Sequence, residues 1–95
     1  MAPSTRKVTR VGYLNYTENG VTFVFKTDSA DSTLLHIYAR HLMEPADAML
    51  VWFEGAHEWN ASHRRYEAIF EGIRIFWYWI DEPKQVVMIA SCHNV

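Results

Sequence analysis

The sequence predicts an α+β domain: an N-terminal β-hairpin, two short helices, then an antiparallel sheet of three to four strands. Three observations carry this. Asn19-Gly20 separates two alternating stretches, and Asn-Gly tolerates the positive φ of a two-residue hairpin turn. Leu34, Ile37, Tyr38 and Leu42 recur at helical spacing. From Arg64 onward apolar and polar residues alternate with period two, as in strands. Helices grouped beside an antiparallel sheet define the class.

Residues 1–7 read as a flexible tail ahead of a single domain spanning 1–95, with Arg6, Lys7 and Arg10 making this end basic. Val8 to Tyr16 has strand propensity, Thr17-Glu18-Asn19-Gly20 is the turn, and Val21 to Lys26 is the return strand. Thr27 to Asp31 leads into the first helix, with Asp28, Ser29 and Asp31 as candidate N-caps. That helix ends near Met43, because Glu44 precedes Pro45 and is disfavoured in helical geometry. Pro45 suits the first turn of the second helix, Asp47 suits its positive end, and Gly55 stops it. The expected strands are then His57–Ala61, Arg64–Phe70, Ile73–Ile80 and Gln85–Cys92, with His93-Asn94-Val95 as a short tail. Ile73 to Ile80 is apolar on both faces, which predicts a central strand or one covered by a partner, and hence a homodimer or partner complex.

A chain of 95 residues allows one domain, and 49% hydrophobic residues allow one packed core. The net charge of −2 excludes a globally basic nucleic-acid binder, so any phosphate contact must come from a local cluster. Cys92 is the single cysteine, so no intrachain disulfide forms. No apolar run approaches the ~18 residues of a membrane span, and no signal-peptide core opens the chain. A soluble, cytoplasmic protein without a membrane partner is expected. Gly-rich phosphate loops and nucleotide-binding fingerprints are absent, so no cofactor is expected.

The reactive side chains concentrate in two places. His36 and Arg40 stand four apart on the first helix, with His41 at the margin of the same face. A general acid/base beside a fixed cation suits phosphate chemistry; a solvated polar face is the plain alternative. The second place is His63-Arg64-Arg65-Tyr66-Glu67, opening a strand next to a turn. RNA cleavage needs a base for the ribose 2′-OH, an acid for the leaving 5′-oxygen, and cations for the charge between them. The competing role for Arg65 or Arg74 is a cross-strand pair with Glu67. There are five histidines, yet their spacings fit no zinc site. Cys92 reads as buried and structural rather than nucleophilic. Trp52, Trp59, Trp77 and Trp79 read as core plus a partner surface.

His36-Ile37-Tyr38-Ala39-Arg40-His41 resembles the "H-x-x-x-R-H" stretch on the first helix of small ribonuclease toxins of the RelE and BrnT type. These belong to the barnase–EndoU–colicin–RelE grouping. Pro45 to Gly55 is similar to their second short helix, Arg64 to Ile69 resembles their "E-R-x-x-x-G" strand, and Val87 to Ser91 resembles their final strand. The resemblance covers residues 34–93. The N-terminal hairpin, His93 in place of a cation and the acidic balance depart from that pattern. The resemblance implies a metal-independent endoribonuclease, the toxin component of a toxin–antitoxin pair, with an RNA substrate and an antitoxin partner. His36 is then general base or acid, Arg40 and Arg65 hold the phosphate, and Ser91 or His93 completes the site. Two rivals accompany this reading. One is a non-enzymatic interaction protein, such as an immunity protein, an inhibitor or a phage-type regulator, that meets its partner through the aromatic sheet. The other is a small-ligand-binding domain with a pocket beside Trp77 and Trp79.

Overall fold

The computed structural model describes residues 12–95. The expected tail over 1–7 and the first residues of the expected opening strand lie outside them. Strands β1 (Tyr13–Glu18) and β2 (Val21–Lys26) come first, then helices α1 (His36–His41) and α2 (Pro45–Glu54). Strands β3 (Ala56–Asn60), β4 (Arg65–Phe70), β5 (Ile73–Asp81) and β6 (Val86–Asn94) follow.

The expected architecture needs correcting. The strands after the helices do not form a separate antiparallel sheet of three to four. All six strands join one mixed sheet in the order β1-β2-β6-β5-β4-β3, so the domain is mostly β with two short helices. The join is a parallel pairing of β2 with β6, from Thr22↔Val86 to Phe25↔Ile89. A parallel pair requires a long crossover, and here the crossover contains both helices and three other strands. Periodicity assigns the faces of a strand but not its neighbour, which is why the pattern alone did not show this pairing.

The hairpin turns at Asn19 and Gly20, with φ of 49° and 80°. Two consecutive positive values match the right-handed twist of the flanking strands. β5 lies between β6 and β4; Ile75 and Trp77 on one of its faces are buried in the core, while Tyr78 and Ile80 on the other are exposed. The short tail expected at His93-Asn94 is instead the end of β6, paired through Arg74↔His93 and Ile73↔Asn94.

Helix α1 begins later than the apolar spacing suggests. Its N-cap is Leu35, which has no capping side chain, while Asp28 and Asp31 bind amides of the preceding loop. Its C-terminal cap, Leu42, adopts a left-handed conformation at φ 58°. Helix α2 starts at Pro45, as expected, and carries a reciprocal cap: the Glu44 side chain accepts from the Asp47 amide, and the Asp47 side chain accepts from the Glu44 amide.

One face of the sheet meets the helices. Phe23, Phe25, Ile75, Val87 and Ile89 are fully or almost fully buried there with Ile37, Ala48 and Val51. Trp52 is the hub, with its ring edge-to-face against Phe23 and Trp77 (both 5.5 Å) and Trp79 (6.0 Å). Its buried indole N–H has no oxygen or nitrogen partner among the described residues. His57 ties the cluster to the backbone: its Nδ1 accepts from Trp77 Nε1 at 3.0 Å, so its Nε2 carries the proton donated to the Trp52 carbonyl at 2.7 Å. The core side of the aromatic strand is therefore occupied by other rings.

Gly55 closes α2 where backbones crowd. A Cβ there would lie 2.6 Å from the Val51 carbonyl oxygen and 2.9 Å from that of Ile69. Both neighbours are main chain and cannot swing aside. Gly55→Ala is expected to lower stability by about 1–3 kcal/mol, the usual penalty of overpacking, and a urea titration reads it directly. An unchanged midpoint would mean that β4 and α2 can part at no cost.

Candidate functional site

The face opposite the helices is open. Pairing across β4, β5 and β6 arranges it in rows. Glu67, Phe76 and Ser91 form one row, and Ile69, Arg74 and His93 the next. Tyr78 pairs with Met88, and the Arg65 guanidinium lies 5.8 Å above the Tyr78 ring.

A bulge in β6 decides which residues reach this face. Trp77 faces Ile89, whereas Phe76 faces Ser91, so Ala90 is the extra residue. Strict alternation from Val87 and Ile89 would turn residues 91 and 93 into the core. The bulge instead buries Cys92 opposite Ile75 and turns Ser91 and His93 outward.

β6 runs on beyond the end of β2, and α1 packs against it. This brings His41 to His93, with ring centroids 5.5 Å apart and planes tilted by 46°. The rings continue across the face. Phe76 is 6.1 Å from His93, and His63 stacks on Phe76 at 4.8 Å. Asn60 sets His63 in place: its Oδ1 accepts from the His63 amide, and its Nδ2 donates to Glu67 Oε1. Arg74 Nε stands 2.9 Å from Glu67 Oε2, an ion pair without hydrogen-bond alignment.

Burial holds the His93 imidazole below its ordinary value, with His41 and Arg74 adding to the effect and Glu67 opposing it. The His93 imidazole is therefore neutral at neutral pH, with one ring nitrogen free to accept a hydrogen bond.

His36 and Arg40 do come together, but around Asp28. The Asp28 side chain is only 4% exposed; its Oδ1 accepts from Arg40 Nε at 3.1 Å and lies 3.6 Å from His36 Nδ1. Its Oδ2 accepts from the amides of Ala30 and Asp31. The Ala30 amide and the Arg40 guanidinium hold this carboxyl below the usual carboxylate range against the opposing effect of desolvation. His36 is also held below its ordinary value, by burial first and by Lys26 next, and these outweigh the pull of Asp28.

Of the residues expected to form the site, Arg65, Ser91 and His93 share the open face, whereas His36 and Arg40 engage Asp28 at its margin. Their grouping left out His41, His63, Phe76 and Tyr78. The alternation of Arg74, Phe76 and Tyr78 was a usable signal for the last two. Nothing local to the sequence links His41 to His93. Burial pushes the Cys92 thiol up to about 12, so it is no nucleophile. Among the described residues, no group of three or more His, Cys, Asp and Glu is placed to hold a metal ion. No helix among them is long and apolar enough to cross a membrane.

Comparison of the chain with protein families, with curated proteins and with solved structures finds no match.

Two outcomes follow. His36 and His93 both titrate below the ordinary value of 6.5 in the folded state, so the unfolded chain takes up protons first. The stability this gives the fold is complete above that value and is lost as pH falls through the folded values. Urea midpoints should therefore decline from about pH 7.5 to about pH 5.5, and His93→Gln should flatten the decline. An identical pH dependence in the variant would contradict the burial of this ring. The Cys92 thiol should be inert to an aromatic disulfide reagent in the native protein and react at once in denaturant; fast native labelling would show that β6 opens.

Proposed function

We propose that the open face binds single-stranded RNA and cleaves it without a metal, with His41 and His93 as the acid–base pair. The observation that carries this is the approach of their imidazoles to 5.5 Å beside Arg74 and Ser91, on an exposed face with aromatic rings. One imidazole takes the proton of a ribose 2′-OH. The 2′-oxygen attacks the adjacent phosphorus, the bond from phosphorus to the 5′-oxygen breaks, and the second imidazole protonates that oxygen. The products are a 2′,3′-cyclic phosphate and a free 5′-hydroxyl. In this reading Arg74 exchanges Glu67 for the phosphate and holds its charge, and the Ser91 hydroxyl orients it. Arg65 is the cation further along the face. Exposed rings on an open sheet suit unpaired bases, because every base has a face to stack. Cleavage of this kind is what a toxin component would perform.

The experiment uses purified protein on a mixed-sequence RNA in excess EDTA. His41→Ala and His93→Ala should each lower the rate by about 10²–10⁴ while circular dichroism stays unchanged. His36→Ala and Arg40→Ala are the comparison. If those two abolish cleavage and the other two do not, the acid–base centre lies at the Asp28 cluster instead. If the unmutated protein leaves RNA intact, the enzyme reading fails.

A non-enzymatic interaction protein is then the second reading. One observation favours it: Leu14, Tyr16, Leu34 and Tyr38 line an exposed apolar groove between β1 and the helices, and Leu42 beside them is 75% exposed. Bands of this kind mark protein interfaces. In the toxin reading the same groove is where an antitoxin would dock.

A further inference from the structure

The open face also holds a small cavity of about 170 Å³ between β1, β2, β6, β5 and β4. Tyr13, Lys26, Arg65 and Tyr78 line it, and Met88, Ile89 and Ala90 complete the lining. Ala90 is the bulge residue, so the irregularity that turns His93 outward also helps shape this hollow.

The charges here differ from those elsewhere on the molecule. Arg40 is paired with Asp28 and Arg74 with Glu67. Neither Lys26 nor Arg65 has a carboxylate within salt-bridge distance among the described residues. Two unneutralised cations in one hollow call for an anion. Two rings, with a guanidinium over one of them, call for a flat ligand. The cavity is smaller than the ~300–1,000 Å³ of sites that enclose a whole drug-sized molecule. It fits one unit of a longer chain.

We infer that the Lys26–Arg65–Tyr78 cavity takes one nucleotide of single-stranded RNA, base against the tyrosines and phosphate between the two cations. The inference rests on the reading of this face as RNA-binding and gives that face a second subsite. Ala90 to His93 spans three residues of β6, roughly 10 Å at the rise of a strand, so one RNA chain can lie over both places.

The test measures binding alone, so it does not depend on cleavage. Uridine 3′-monophosphate is titrated into the protein by NMR, alongside uridine, inorganic phosphate and a 2′-O-methyl hexauridylate that cannot be cleaved. The expected result is saturable binding of the monophosphate, competition by the hexamer, and weaker binding of uridine and of phosphate. Tyr78→Ala and Arg65→Ala should each weaken binding by about tenfold, the effect of one stacked ring or one ion contact. Tyr78→Phe keeps the ring and should retain most of it, and Lys84→Ala, in the distant β5–β6 turn, should change nothing. Phosphate binding as tightly as the nucleotide would overturn the role of the rings. Monophosphate binding without competition by the hexamer would overturn the assignment to an RNA chain. Absence of any binding, or binding untouched by Tyr78→Ala and Arg65→Ala, would overturn the site itself. Loss of cleavage in His41→Ala with nucleotide binding intact separates this subsite from the acid–base centre.

Discussion

The parallel pairing of β2 with β6 is the constraint on which the rest depends. The hairpin β1–β2 would otherwise be an isolated two-stranded piece, marginal on its own, and the run β3 to β6 would lack the apolar residues that the hairpin brings to the core. Joined, they make one sheet wide enough to seat α1 and α2. Phe23 and Phe25 from the first piece and Ile75, Trp77, Val87 and Ile89 from the second meet in a single core. The pairing stops at Phe25↔Ile89, and β6 continues past it. The space left beside that continuation is where α1 packs, and this is how a residue of the helix comes to stand beside the last strand.

The second determinant is a single residue of register. Without the bulge at Ala90, His93 would face the core and Cys92 the solvent. With it, Cys92 fills the core and His93 joins Arg74, Phe76 and Ser91 on the open side. The bulge thus couples packing to chemistry: the small, apolar thiol is the better core residue, and burying it releases the imidazole. Its cost is one unpaired residue in the ladder, and Ala90 becomes part of the lining of the neighbouring hollow.

Charge on this molecule is meaningful only locally. A net −2 spread evenly would repel RNA. Instead Asp28 neutralises Arg40 at the margin of the face, while Lys26 and Arg65 remain uncompensated within it among the described residues. The Asp28 cluster shows why residue type and spacing are not enough. His36 and Arg40 have the composition of a phosphate site, but a carboxylate twelve residues upstream of Arg40 holds the guanidinium. Arg65 stands out in the sequence and Lys26 does not, and no local pattern shows that the two share one cavity.

What the sequence by itself determined is local. Asn19-Gly20 sets the hairpin because positive φ is cheap there, Pro45 with Asp47 starts α2, and Gly55 ends it where no Cβ fits. Alternation along residues 64–80 sorts the side chains of β4 and β5 onto two faces, since that order depends only on the period of a strand. The start of α1 was misread because Leu34 continues the helical spacing, while Asp28 and Asp31 hold the preceding loop in turns. The tertiary structure alone decided which strands are neighbours, the register across the bulge and the partners of each charge. Those depend on contacts between segments far apart in the chain, such as β2 with β6 or His41 with His93, and no local pattern encodes them. The single mixed sheet and the grouping on its open face therefore became visible only once the core had brought those segments together.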